Sequence, residues 1–371
     1  MSTRVSVLTP PGTGAIASIA VVGPNAWPLL QKLFRRPAGK ELPPSPVQNA
    51  VWFGTLGDGP GDEVVVAVKQ IEPEPLIEIH CHGGRQVVRW VVEQFQSRGC
   101  EEIPWHQLKP TKNFDDRARI PLTQASTLRT ASILLDQYHG AFVRALEAIL
   151  TNPTLDGLTE LSKRVTVGRH LVTPWRVVIA GPPNVGKSSL INALAGYQRT
   201  VVAPIAGTTR DVIHVTVALD GWPVSLADTA GLRAPTDDIE AEGIDRAREA
   251  LRTAAEIYWV IDAAAGEPVE PPVFERPVER ILNKIDTPAP WVADYPSEVL
   301  RVSATTGEGI DRLAGRMVQP LNAVKLMPGD AVPFTTELTA AIATAYDMHT
   351  AGKHDEARRY LTMLADGATG A

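Results

Sequence analysis

The sequence predicts a multi-domain chain: a small α+β domain, then an α/β P-loop domain set between helical segments. Three observations predict it. Residues 181–189 read Gly-Pro-Pro-Asn-Val-Gly-Lys-Ser-Ser, a G-x-x-x-x-G-K-S loop. It follows the apolar run 175–180 and precedes a helical pattern carrying Leu190, Ile191 and Leu194. Strand-like and helix-like stretches then alternate from Trp175 to about Val318, the pattern of a parallel sheet. Residues from about 120 to 171 and from 335 to 364 carry helical spacing instead. The expected domains are 1–117, 118–171, 172–320 and 321–371, with the second and fourth making one helical domain.

Taken in order, β-rich runs stand at Val5–Leu8, Ile16–Val22, Val51–Gly54, Glu63–Val68 and Leu76–His80. A helix follows with Val87, Val88, Val91, Val92 and Phe95 on one face and Gly99 as its stop. Lys109–Arg119 is basic but contains Asp115 and Asp116, which predicts a solvated loop rather than an RNA contact. Helices are expected over Leu122–Tyr138, Ala141–Leu150 and Leu155–Leu171, with Asn152-Pro153 as a break. Two more helices, Thr335–His349 and Asp355–Leu364, flank Gly352.

Bulk properties narrow the class. The chain has 371 residues, enough for two or three domains. A formal net charge of −6 argues against a broad nucleic-acid surface. Two cysteines, Cys81 and Cys100, make no disulfide framework, so a cytoplasmic location is expected and both thiols read as packed side chains. No apolar run approaches the ~20 residues that cross a bilayer, so no membrane role is expected. His80 and His82 share a strand face without further ligands, which predicts a structural role beside Gly83-Gly84.

The P-loop assigns phosphate chemistry. Gly181 and Gly186 permit a tight turn in which backbone N–H groups, including those around Asn184, Val185 and Ser189, surround phosphates at a helix N-terminus. Lys187 is placed to reach the β- and γ-phosphates, and the Ser188 hydroxyl to ligate Mg2+. Asp228-Thr-Ala-Gly231 ends a strand run, so Asp228 can hold the magnesium shell and Gly231 can approach the γ-phosphate. Between these motifs, Ile205-Ala-Gly-Thr-Thr-Arg-Asp211 offers Thr208 and Thr209, with Thr209 assigned to magnesium.

The base is read from Asn283-Lys-Ile-Asp286. The Asp286 carboxylate can accept two hydrogen bonds from the N1–H and N2–H₂ edge of guanine, a pair that adenine lacks. Asn283 is expected to address the other purine edge, the Lys284 stem to cover the base face, and Ser303-Ala304 to offer backbone N–H to O6. GTP and GDP are therefore the expected ligands. Leu232 stands where many GTPases carry a water-orienting glutamine, so hydrolysis needs another polar residue.

These motifs, together with Leu8-Thr-Pro-Pro-Gly-Thr-Gly14, Glu78-Ile-His-Cys-His-Gly-Gly84 and Leu122-Thr-Gln-Ala125, resemble the MnmE (TrmE) family of tRNA-modification GTPases. The resemblance implies a folate-binding-like N-terminal domain that makes a homodimer. It implies a potassium ion held by Asn184, Ala203, Ile205 and Thr208 in place of an arginine finger, and Glu240 as the catalytic water-positioning residue beside Lys187. It further implies an FAD-dependent partner of the MnmG type and tRNA as substrate. A folate derivative would meet Glu74 and Arg119.

The sequence also departs from that family. Ala20 stands where an arginine is usual, and Pro204 replaces an acidic residue of the potassium loop. The stretch Ala263–Pro277 is too rich in proline for the usual helix. No C-x-G-K tail follows Asp366, and no cysteine follows Cys100. A divergent, GTP-driven dimeric switch without tRNA chemistry is therefore the alternative. A ribosome-assembly GTPase of the Era/Der type is a third reading, and the short helical tail argues against it.

Overall fold

The computed structural model describes residues 2–10, 12, 14–57, 59, 61–108, 114–152, 154–197, 214–228, 250–274 and 276–366. The chain divides into two compact units, Met1–Pro110 and Thr111–Ala371.

The first unit is built on strands β1 (Arg4–Val7), β2 (Ile16–Val22), β3 (Phe34–Arg35), β4 (Val51–Leu56), β5 (Asp62–Gln70), β6 (Leu76–His82) and β7 (Glu101–Glu102). They form one sheet in the order β3-β4-β5-β6-β2-β1-β7. All pairs are antiparallel except β1 with β7. Period-two alternation decides which face is buried. On β6, Ile77, Ile79 and Cys81 point into the core, while Glu78, His80 and His82 lie on the other face. Helices α1 (Ala26–Leu33) and α2 (Arg85–Gln96) cover the apolar face. The α2 stripe contributes Val91, Val92 and Phe95, each worth about 1.5–3 kcal/mol in burial, with Val87 and Val88 packed at its edge.

The second unit opens with helices α3 (Phe114–Gln124), α4 (Leu128–Tyr138), α5 (Ala141–Thr151), α6 (Leu158–Lys163) and α7 (Val165–Arg169). A sheet follows, formed by β8 (Trp175–Ala180), β9 (His214–Leu219), β10 (Trp222–Asp228), β11 (Glu256–Asp262), β12 (Glu279–Asn283) and β13 (Leu300–Arg301). Its order is β13-β12-β11-β8-β10-β9, parallel throughout except for β9 against β10. Helix α8 (Lys187–Tyr197) follows the phosphate loop, and α9 (Ile310–Met317), α10 (Gln319–Asn322), α11 (Thr336–Thr350) and α12 (His354–Asp366) complete the unit.

The late helices close on the early ones. Helix α11 packs on α6 and α7, and α12 packs on α5. Phe142 meets Phe334 edge to face at 5.7 Å, and Arg164 pairs with Asp330 at 3.1 Å. Arg358 donates to the carbonyls of Leu150 and Asn152. One apolar core runs from Phe142 and Leu146 through Val177, Ile179 and Leu226 to Ile342 and Leu361, so helices and sheet are packed together.

The element boundaries depart from expectation at several points. The helix expected over Leu122–Tyr138 is divided, because Thr127 Oγ1 accepts from the Thr130 N–H at 3.2 Å and starts a new helix. Residues 114–119, expected in a loop, belong to α3. The helix expected from Leu155 starts at Leu158 and breaks at Arg164. Leu155 (φ 54°) and Gly157 (φ 96°) hold left-handed backbone that no helix continues through. Between Ala263 and Pro277 no helix occurs among the described residues. None of the described helices is long and apolar enough to cross a membrane.

Candidate nucleotide-binding site

Parallel strands ending side by side place the site. The carboxyl ends of β8, β10, β11 and β12 lie side by side at one edge of the sheet, where open α/β folds collect ligands. Gly181 (φ 150°) lies so close to β11 that a Cβ there would stand 2.7 Å from the Val260 carbonyl oxygen. Asn184 (φ 64°) and Gly186 (φ 92°) turn the loop into α8. Lys187, 5% exposed, donates from Nζ to the carbonyls of Gly181 at 3.0 Å and Pro182 at 2.7 Å. Its charge is thereby held inside the curve of the loop. Ser188 Oγ donates to Asp228 Oδ2 at 2.5 Å, which joins the start of α8 to the end of β10. A hydroxyl and a carboxylate so placed are hard oxygen donors, the set that Mg2+ takes together with water and phosphate. The glycine curve, the inward lysine and this donor pair fit a magnesium-bound nucleoside triphosphate.

The base-reading side differs in part from expectation. Asn283 is 1% exposed and braces two loops: Nδ2 donates to the Val185 carbonyl at 2.9 Å, and Oδ1 accepts from the Ala304 N–H at 3.1 Å. Asn283 thereby holds the phosphate loop with one of its two amide N–H donors, which leaves the second for a purine edge. The Ser303 N–H donates to the Glu308 carbonyl at 2.9 Å, because residues 303–308 close into their own turn. The backbone donors assigned to O6 are thus both engaged. Asp286 is exposed, and Ser303 Oγ donates to its Oδ1 at 2.6 Å, which orients the carboxylate. Lys284 Nζ donates to the Asn184 carbonyl at 2.7 Å and to Asp262 Oδ2 at 2.6 Å.

Two family models match the chain: "GTP-binding protein TrmE N-terminus" over residues 3–103 and "50S ribosome-binding GTPase" over residues 176–292. The tRNA modification GTPase MnmE of Chlamydia felis is 30% identical over 359 residues, covering 83% of this chain and 78% of that protein. MnmE of Methylococcus capsulatus is 30% identical over 376 residues, covering 85% and 81%. MnmE of Symbiobacterium thermophilum is also 30% identical, covering 85% and 82%.

The chain belongs to the MnmE family. It is a GTP-binding GTPase with a TrmE-type N-terminal domain and a P-loop GTPase domain. Several residues assigned from the motifs (Thr209, Gly231, Leu232) or from the MnmE resemblance (Ala203, Ile205, Thr208, Glu240) lie outside the described residues. Glu74 is described, and its Oε1 accepts from Arg4 Nη2 at 2.6 Å. Arg119 lies in α3, in the second unit. Ala20, where an arginine is usual in MnmE, is 1% exposed on β2. Burial, with the Asp62 carboxylate adding to it, pushes the Cys81 thiol up to about 11, which keeps it protonated. Cys100 is raised by burial as well. His80 Nδ1 meets Ser18 Oγ at 2.8 Å and His82 Nδ1 meets Asp62 Oδ1 at 2.6 Å. Among the described residues no group of three metal-ligating side chains occurs.

Asp262 belongs to none of the sequence motifs. A carboxylate at the end of a parallel strand, with a lysine one residue past the end of the next strand, was the available signal.

Proposed function

We propose that this chain hydrolyses GTP as a magnesium- and potassium-dependent homodimeric switch that works in tRNA wobble-uridine modification with an MnmG-like partner. The Ser188–Asp228 hydrogen bond carries the proposal, because it places a hydroxyl and a carboxylate together beside the phosphate loop. Lys187 and the loop N–H groups would bind the β- and γ-phosphates, and Asp286 would select guanine. Ser188, Thr209 and Asp228 would hold magnesium, and Asn184, Ala203, Ile205 and Thr208 would hold potassium. Both ions would supply positive charge against the negative charge that develops on the transferred phosphoryl group. Glu240 would orient the attacking water, a task that Leu232 cannot perform. The tRNA context comes from the name of the related tRNA modification GTPases, and the MnmG-like partner from the resemblance of the sequence motifs to that family. A cytoplasmic location fits that context. Folate is left out of the proposal, because Arg4 already meets Glu74 and a packed alanine occupies position 20.

GTP turnover measured in potassium and in sodium tests the reaction. Faster turnover in potassium is expected, and equal slow rates would remove the potassium site. Glu240→Ala is expected to bind GTP normally and turn over slowly; unchanged turnover would free Glu240 of its role. Nucleoside analysis of tRNA from cells lacking the protein tests the substrate. An unchanged wobble-uridine profile would assign the same GTP cycle to a switch acting on another partner.

A further inference from the structure

Three parts of the nucleotide site meet at Asp262. This residue ends β11 and pairs in register with Asn283 at the end of β12. Its two carboxylate oxygens have separate partners. Oδ1 accepts from the Ala264 N–H at 2.9 Å, which fixes the side chain against its own turn. Oδ2 accepts from Lys284 Nζ at 2.6 Å, and the same ammonium donates to the Asn184 carbonyl at 2.7 Å. Lys284 is therefore drawn between a strand end and the phosphate loop. Asn184 (φ 64°), whose carbonyl the ammonium meets, and Lys284 itself (φ 66°) both hold left-handed backbone that non-glycine residues seldom adopt. Such conformations persist where the surroundings over-determine them.

We propose that Asp262 is a positioning residue for guanine-nucleotide binding, acting through Lys284. A lysine without an anchor samples many rotamers and loses that freedom when a base settles on its stem. A lysine already held at two acceptors has lost it before the nucleotide arrives. The pair is part-buried, with side-chain exposures of 34% for Lys284 and 19% for Asp262, so water screens it less than a surface pair. Asp262 also sets where the ammonium pulls. By holding Nζ beside the Asn184 carbonyl it ties the guanine loop to the phosphate loop at the residue that turns that loop. A merely local role, ending β11, needs only the Ala264 bond.

The inference rests on the reading that guanine lies against Lys284 and Asp286. Titration of the full chain with a fluorescent GDP tests it in the wild type, Asp262→Asn, Lys284→Met and the double variant. Asp262→Asn keeps an acceptor for Ala264 and removes the charge that holds the ammonium. Each single variant is expected to weaken GDP binding on the order of tenfold, chiefly through faster release. The double variant is expected to bind no more weakly than Lys284→Met, since the two residues act as one unit. Melting temperatures without nucleotide are expected to stay together. Unchanged affinity in Asp262→Asn, or losses that multiply in the double variant, would overturn the proposal. Weakening that only follows a lowered ligand-free melting temperature would overturn it too. Preference of the wild type for ADP over GDP would instead remove the guanine reading itself.

Discussion

A methyl group placed on Gly186 would stand 2.4 Å from the Asn283 amide nitrogen. The phosphate loop and the guanine loop thus touch through a residue without a side chain, held at φ 92°. Gly186→Ala combines a left-handed backbone with an overlap that the buried Asn283 cannot yield to, a strain of about 1–3 kcal/mol or more. GDP affinity is expected to fall at least about tenfold. Calorimetric titration checks this, and unchanged affinity would show that the loop relaxes freely.

Asp286 offers a second, chemical test. Its carboxylate suits the two donors of guanine, whereas an amide presents one donor and one acceptor. Asp286→Asn is expected to disfavour GDP by roughly a hundredfold or more and to favour xanthosine diphosphate, whose C2 carbonyl accepts from the amide. Competition between the two nucleotides reads the change directly. An unaltered order of preference would place the base elsewhere.

These two tests separate what the sequence could and could not tell. Phosphate chemistry was legible, because Gly181, Gly186, Lys187 and Ser188 lie within one local motif whose strand and helix neighbours are patterned. The strand ends at Asp228 and Asn283 were legible for the same reason. The bracing role of Asn283 was not, since it depends on the Val185 carbonyl, distant in sequence and close only across the sheet. Asp262 was hidden likewise: its partner Lys284 becomes a neighbour through parallel pairing of β11 with β12. Helix boundaries near Thr127 and Leu155 were misplaced because capping and left-handed residues override apolar spacing.

At the far end of the sheet Glu256 gives a pH dependence. Burial pushes its carboxyl up from 4.5 to about 7, with the Tyr258 hydroxyl bond opposing and Glu279 adding to the rise. A raised folded-state value means that the folded chain holds the proton more tightly than the unfolded chain. The stabilisation is complete below the ordinary carboxyl range and disappears as pH rises through about 7. Glu256→Gln keeps an acceptor for Tyr258 and cannot titrate. The wild-type melting temperature is therefore expected to fall relative to that of the variant between pH about 5 and about 8. Parallel curves would show that Glu256 ionises normally.

Arg129 tests the seam between helices and sheet. Its guanidinium lies 4.5 Å from the centre of the Trp222 ring and donates to the Asp220 carbonyl at 2.9 Å. Asn322 ties the same hairpin from the other side, accepting from Trp222 Nε1 at 2.9 Å and donating to Asp220 Oδ2 at 2.8 Å. The Arg129–Asp220 ion pair is exposed and adds little. Stacking and the carbonyl bond should make Arg129→Ala cost about 1–2 kcal/mol in urea unfolding. Arg129→Lys should recover only part of it, because an ammonium does not stack and bridge at once. Full recovery would mean that charge alone matters.

The way α11 and α12 close on α5, α6 and α7 has a consequence for synthesis. The ribosome makes Leu171 long before Thr336, and at 5–20 residues per second that interval is roughly ten to thirty seconds. Throughout it the early helices present Phe142, Leu146 and Leu161 without the partners that later cover them. The nascent polypeptide therefore passes through a stage with sticky surface showing, when a holding chaperone has the most to offer.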